Sequence, residues 1–318
     1  MGRVVHHLFF RLGQGLFVAV AVSTLTFILM VALPGDLALK VAMARYGEDL
    51  ADEQAVAYVR KDAGLDRPWW VRYAGWLRSG ITYDLGNSIV TGNRVSDELF
   101  FHFRMTFKLA TYAMGLSLLL AVPLGVWSGI RPFSLVDNIS ATISSALVSM
   151  PAYVLGAGLI ILFAIKLRWL PAAGFTQSAN LILPSVTLAL GLAPVSSRII
   201  RTATMEVKTS VYVTFARIKG LPGHRVFSAH GLKNGAVPVV TFLGLQLAHV
   251  LDGVVVLENL FDWPGIGNLL LEAIVGRDLP IIQGATLLIG LMYVTVNMAI
   301  DMICIWLDPR RREQKGVL

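Results

Sequence analysis

Two sets of residues carry the chemical interest of this sequence. One is a basic stretch, Tyr212-Val-Thr-Phe-Ala216-Arg217-Ile-Lys219-Gly220-Leu221, followed by His230-Gly-Leu-Lys233-Asn234-Gly-Ala-Val-Pro238. It alternates apolar and basic positions, and Gly220 with Pro222 just beyond is the stop signal of a short helix. An amphipathic basic helix of this kind serves as a solvated connection, a contact to lipid headgroups or a docking element. The other set is His249 with Asp252, about one turn apart inside an apolar run. An ionisable residue near the middle of a bilayer costs roughly 2.5 to 3.5 kcal/mol on insertion scales, so Asp252 faces either a polar partner or a water-filled path. His249 taken alone reads first as a hydrogen-bonded interior histidine rather than a metal ligand. Catalytic and metal chemistry have little support elsewhere. Cys304 is the single cysteine, which excludes an intramolecular disulfide and any multi-cysteine metal site. The six histidines are scattered, with neither an H-E-x-x-H spacing nor a G-x-x-x-x-G-K-[ST] phosphate loop. No metal site, no catalytic residue and no cofactor bound by this chain are expected.

The elements that must hold these residues follow from composition. Charged residues make up 15% of the 318 positions and apolar ones 55%, and the mean hydropathy is +0.67, which together point to a membrane protein rather than a soluble globule. A transmembrane helix needs about 20 mostly apolar residues. Six stretches qualify, roughly Leu8 to Leu33, Met105 to Ile130, Ile139 to Ile165, Leu181 to Ile200, Val237 to Leu257 and Pro280 to Leu307. The first is too long for a cleavable leader and reads as an anchor. Pro123, Pro151, Pro184 and Pro194 lie in or beside spans, where they bend helices and free carbonyls. Asn297 and Asp301 share a face of the last span, and a subunit contact is the favoured role.

Orientation follows from the distribution of Lys and Arg. With the N-terminus inside, the inner segments hold 14 basic and four acidic residues, against 13 basic and 14 acidic outside. Both termini are therefore expected in the cytoplasm. The net charge of +7 is then the mark of a basic inner face rather than of nucleic-acid binding. Two connections are long. The outer one, Pro34 to Arg104, carries Trp69, Trp70, Tyr73, Trp76 and Tyr83 and suits a small folded cap with interfacial anchors. The inner one, about Arg201 to Ala236, contains two expected short helices, Ser210 to Lys219 and His224 to Lys233. The resulting division is residues 1–33, 34–104 and 105–318.

The inner stretch resembles the cytoplasmic loop of ABC importer permeases, whose usual form is E-A-A or A-R-A-K-G-L with a later R-N-x-x-x-P. The likeness extends over nearly the whole chain to the dipeptide, oligopeptide and nickel permease family, the subunit with a large outer segment after its first helix. Matching pieces are Leu33-Pro34-Gly35-Asp36, Gly64-Leu65-Asp66-Arg-Pro68, Asp84-Leu85-Gly86-Asn-Ser88, Val122-Pro123-Leu124-Gly125 and Ser149-Met150-Pro151. Further on come Trp169-Leu170-Pro171-Ala-Ala-Gly174, Arg198 with Arg201, Glu258-Asn-Leu-Phe261-Asp-Trp263-Pro264-Gly265-Ile-Gly267 and Arg277-Asp278-Leu-Pro280. Four positions depart from the family pattern. Val211, Phe215 and Ile218 are bulkier or more apolar than usual, and Asp252 stands where the family has Gly.

The resemblance implies an all-α fold of type I importer architecture with six transmembrane helices, in the bacterial inner membrane. Tyr212, Ala216, Arg217, Lys219, Gly220, Leu221, His230, Asn234 and Pro238 would form the loop gripped by an ATPase, and His249 with Asp252 are candidates for the substrate path. The implied partners are a homologous permease, two ATPase subunits that hold ATP and Mg, an extracytoplasmic binding protein and membrane lipid, with no nucleic acid. Di- or oligopeptide is the expected cargo, nickel or a metal chelate the alternative. An ATP-independent channel or secondary transporter is the alternative of another class.

Overall fold

The computed structural model describes residues 2–81, 84–220 and 232–307. Twelve α-helices are named here: α1 Gly2–Ala32, α2 Leu37–Tyr46, α3 Glu53–Asp62, α4 Trp69–Ile81, α5 Val95–Ile130, α6 Leu135–Ser149, α7 Ala152–Leu159, α8 Ile182–Thr209, α9 Val211–Ile218, α10 Leu232–Leu260, α11 Ile266–Gly276 and α12 Leu279–Leu307. A π-helical stretch, Ile160–Lys166, continues α7, and a 3-10 turn, Ser178–Leu181, leads into α8. Among the described residues the only β-type pairing is an isolated bridge between Asn87 and Arg94, so the fold is all-α as expected.

Four stretches of helix among the described residues are long and apolar enough to cross a membrane: Gly13–Ala32, Val95–Ile130, Ser178–Thr209 and Leu279–Ile303. The expected span Val237 to Leu257 lies within α10. The expected third span, Ile139 to Ile165, is not one straight helix. It breaks at Met150-Pro151, where α6 and the segment Ala152–Lys166 meet at 104°. Proline restricts the residue before it to extended backbone, and Met150 accordingly has φ −95° and ψ 127°. Hydropathy alone registers the apolar run and not its fold-back. The second span also starts ten residues earlier than expected, because α5 begins at Val95 in the charged, aromatic-rich segment before Met105.

The chain forms two compact units, Met1–Thr106 with Pro264–Thr295, and Phe107–Trp263 with Val296–Leu318. In the first, α2 and α3 each start on a carboxylate: Asp36 accepts from the Ala38 amide (2.9 Å) and Asp52 from the Ala55 amide (2.8 Å). Such caps satisfy amides that a helix N-terminus leaves without an intrahelical partner. Ala38, Val41, Ala42 and Val59 form a small core between α2 and α3. A larger one gathers Met30, Val95, Leu99, Ile266, Leu269, Ala273, Leu279, Ile281, Ile282 and Ala285. Three separated motifs meet beside it. Arg277 donates to the Pro34 carbonyl at 2.6 Å, and the Ser88 hydroxyl donates to the buried Asp278 carboxylate. Burial pushes the Asp278 carboxyl above its ordinary pKa, and its bonds to Ser88, Ile89 and Val90 oppose that rise.

The second unit is organised around α8, which packs most extensively on α10 and then on α6 and α7. Gly125 and Gly129 of α5 face the same helix. A β-carbon on Gly129 would lie 2.5 Å from Thr204 Cβ and 2.8 Å from the Arg201 carbonyl oxygen, and one on Gly125 would lie 2.6 Å from the Ser197 carbonyl oxygen. Two glycines four residues apart let helix backbones approach within the bundle. Overpacking a site of this kind costs typically about 1–3 kcal/mol, so Gly129→Val is expected to lower the melting temperature of the purified permease complex. Gly115→Val is the control, since nothing lies within 4 Å of its added β-carbon, and equal shifts for the two would remove this account of the close approach.

Candidate functional site

The basic stretch opens on α9, a helix of eight residues. Its junction with α8 is a single residue. Ser210 has extended backbone (φ −67°, ψ 148°), its amide and its hydroxyl both donate to the Val207 carbonyl (3.2 and 2.6 Å), and its own carbonyl accepts from the Val213 and Thr214 amides at 3.2 Å. Val207 of α8 and Val213 and Ala216 of α9 form a buried cluster across this corner. A junction with its backbone groups paired and a packed apolar seam leaves little freedom for α9 to swing on α8.

The opposite side of α9 is apolar as well. Val211, Phe215 and Ile218 are 71%, 60% and 76% exposed, and their spacing of four and three residues aligns them in one stripe. Tyr212 is exposed beside them, as is Lys219. The helix closes on Gly220 with φ +78°, a left-handed conformation that glycine adopts without the penalty a β-carbon brings. Of the residues singled out in the sequence, Ala216 is thus in the seam, and Tyr212, Lys219 and Gly220 are on the exposed side. Arg217 belongs to α9, Asn234, His249 and Asp252 to α10, and their side chains lie outside the described residues, as do Leu221, His230 and the expected helix from His224 to Lys233. Pro238, inside α10, is exposed.

The structure brings α8 into polar contact with three neighbours. Arg201 makes a bidentate ion pair with Asp137 of α6, Nε to Oδ1 at 2.6 Å and Nη2 to Oδ2 at 2.8 Å. The Asp137 side chain is 5% exposed. It also accepts from the Phe133 amide at 2.8 Å. One turn earlier, Arg198 donates to the Ser145 hydroxyl at 2.6 Å. Lys208 donates to the Ile130 carbonyl at the end of α5, also at 2.6 Å. Deeper in the span, Gln246 of α10 accepts from the Ser196 hydroxyl (2.7 Å) and donates to the Leu192 carbonyl (2.9 Å). Arg198 and Arg201 stand out in the sequence as a motif, without their partners. Asp137, Ser145 and Gln246 were not anticipated, although Asp137 is a lone acid at the start of an apolar stretch and Gln246 a lone amide within one, the signals that mark a paired polar group in a membrane helix.

Structurally, then, α9 is a short helix with an outward apolar stripe, fixed to the end of a long helix that is itself cross-linked to its neighbours. Its exposed stripe is joined through the Ser210 corner to α8, whose side chains contact α5, α6 and α10.

Comparison with known proteins agrees with this architecture. The family described as "Binding-protein-dependent transport system inner membrane component" matches residues 121–313, and the corresponding N-terminal family matches residues 4–110. Among curated proteins, the glutathione transport system permease protein GsiC of Escherichia coli O6:H1 is 35% identical over 291 residues, covering 92% of this chain and 94% of the relative. The GsiC proteins of Shigella flexneri and Pectobacterium atrosepticum are 34% and 35% identical over the same length and coverage.

A buried carboxylate held by one guanidinium predicts an asymmetric mutational response. Arg201→Met leaves Asp137 unpaired, which typically destabilises by about 3–5 kcal/mol, whereas Asp137→Leu with Arg201→Met removes both charges and is expected to recover much of the loss. Melting temperatures of the purified complexes check this. A double variant no better than the single one would show that the pair matters for something other than mutual neutralisation.

Proposed function

Because the chain belongs to the family of binding-protein-dependent transport system inner membrane components, and is a non-catalytic, multi-pass permease subunit of an ABC importer in the bacterial inner membrane, we propose that α9 is the element through which a partner ATPase drives it. The observation that carries this reading is the stripe of Val211, Phe215 and Ile218, left exposed on a helix joined tightly to α8. An isolated apolar stripe on a short, basic helix is matched by a hydrophobic groove rimmed with acidic groups. Tyr212, Arg217, Lys219, Gly220 and Leu221 would complete the gripped surface. His230, Asn234 and Pro238 would form its return into α10.

In this reading both termini and α9 face the cytoplasm, in keeping with the basic charge of those segments. Two ATPase subunits bind ATP and Mg beneath this permease and a second, homologous one. Closing of the ATPases draws the two α9 helices together. The Ser210 junction passes the movement to α8, and the Arg201–Asp137 and Ser196–Gln246 contacts pass it to α6 and α10. The bundle then alternates between two packings, of which nucleotide binding favours one. Residues 34–104 are the docking floor for an extracytoplasmic binding protein, and their mixed charge suits a transient polar interface. His249 and Asp252 are proposed to line the path enclosed by the two permeases.

The cargo is proposed to be a small peptide. Support comes from the family likeness and from the GsiC relatives, named for glutathione transport, since glutathione is itself a tripeptide. Screening peptides, glutathione and metal chelates for the ligand that raises the melting temperature of the cognate binding protein identifies it, and stabilisation by a metal chelate alone would overturn the peptide assignment.

Coupling is tested in the reconstituted complex. Gly220→Val, which places a β-branched residue at a positive φ, and Arg217→Glu, which reverses a charge, are each expected to abolish most substrate uptake while the permease still inserts and assembles. Replacing Phe215 and Ile218 together with Asp is expected to reduce co-purification of the ATPase by about tenfold or more, as loss of an apolar anchor does. Uptake and ATPase recovery at wild-type level in all three would sink the proposal.

A further inference from the structure

The first unit contains a cavity of ≈ 250 Å³ far along the chain from α9. Phe27 from the end of α1, Arg67, Arg72 and Trp76 from α4 and the turn before it, and Leu279 and Gln283 from the start of α12 line it. Two of these side chains are cations, and among the described residues neither makes an ion pair. Two acids of the same unit are engaged elsewhere: Asp36 pairs with Arg60 at 2.5 Å and Asp62 with Arg45 at 3.1 Å. Arg72 is half-buried, and burial lowers its pKa with no carboxylate opposing the shift. Gln283 is 3% exposed, and among the described residues its amide nitrogen has no hydrogen-bond acceptor. A buried polar group left in that state is uncommon in a native fold and calls for a partner.

The rest of the wall is apolar, and its place along the chain is informative. Phe27 lies near the end of one membrane-spanning stretch and Leu279 begins another, so the cavity sits where these helices leave the hydrocarbon. Tyr73 fastens α4 there, its ring 5.1 Å from Phe27 and its hydroxyl 2.5 Å from Thr24 Oγ1. Trp69 and Trp70, on the adjoining turn, are more than half exposed, as tryptophans at a membrane–water boundary are.

We propose that this cavity binds the phosphodiester headgroup of an anionic phospholipid, with Arg67, Arg72 and Gln283 donating to the phosphate oxygens and the glycerol end of the lipid resting on Phe27, Trp76 and Leu279. Guanidinium groups match phosphate oxygens in a planar fork, and an arginine pocket at the end of a transmembrane helix is suited to an acidic headgroup. Free phosphate shares the oxygen chemistry but gains nothing from the apolar wall. The inference needs only that the chain spans a membrane, and it stands or falls independently of what grips α9.

The test uses the assembled complex, purified in detergent and exposed to equal amounts of phosphatidylglycerol and phosphatidylcholine, with bound lipid read by native mass spectrometry. Phosphatidylglycerol is expected to be retained preferentially, and Arg67→Gln with Arg72→Gln to lower that retention about tenfold, as loss of charge-assisted bonds does. Gln283→Leu is expected to lower it less. A second measurement needs no variant: the wild-type complex is expected to melt higher in nanodiscs containing phosphatidylglycerol than in phosphatidylcholine alone, with millimolar inorganic phosphate giving no such shift. Equal retention of the two lipids, undiminished retention in the double variant, or displacement of the lipid by inorganic phosphate would each overturn the proposal.

Discussion

A charge placed in or at the edge of a bilayer needs an ion-pair or hydrogen-bond partner in the protein, because there is little water to supply one. That demand is concentrated on α8. Arg201 meets it with Asp137, Arg198 with Ser145, and Lys208 with the free carbonyl of Ile130 at the end of α5. Each partner is on a different part of the bundle from α8 itself, so satisfying the charges and cross-linking the helices are one event. Apolar packing alone gives membrane helices little preference for one rotation over another; three directional contacts and the close approach at Gly125 and Gly129 do.

Several of the family motifs are tied to one another in the same way. Leu33-Pro34-Gly35-Asp36 and Arg277-Asp278-Leu-Pro280 are more than 240 residues apart, yet Arg277 reaches the Pro34 carbonyl (|i−j| = 243). Asp278 in turn receives Ser88 of a third motif. In the second unit the Gly174 amide donates to the Phe261 carbonyl at 2.9 Å, joining Trp169-Leu170-Pro171-Ala-Ala-Gly174 to the segment around Glu258. Short motifs without catalytic chemistry are thus the points where distant pieces of each unit are tied together.

For function, the important asymmetry is within α9. Val213 and Ala216 bind it to α8, whereas Val211, Phe215 and Ile218 are exposed among the described residues. These three are also the positions of the loop at which the sequence departs from the family pattern. Departures confined to the outward stripe leave the internal seam intact.

Much of this was legible in order along the chain. Hydropathy identified a membrane protein with helical spans, because a span must be apolar over its whole length and that requirement is local. The glycine that ends α9 was also legible, since a left-handed helix cap needs glycine whatever surrounds it. What one dimension withheld was pairing. That Ile139 to Ile165 folds back at Met150-Pro151, that Arg201 answers Asp137, and that Arg67, Arg72 and Gln283 line one cavity depend on which helices become neighbours. Periodicity tells which face of a helix is apolar, and contact with another helix tells what that face meets; the first is a property of the sequence, the second arises only when the units pack.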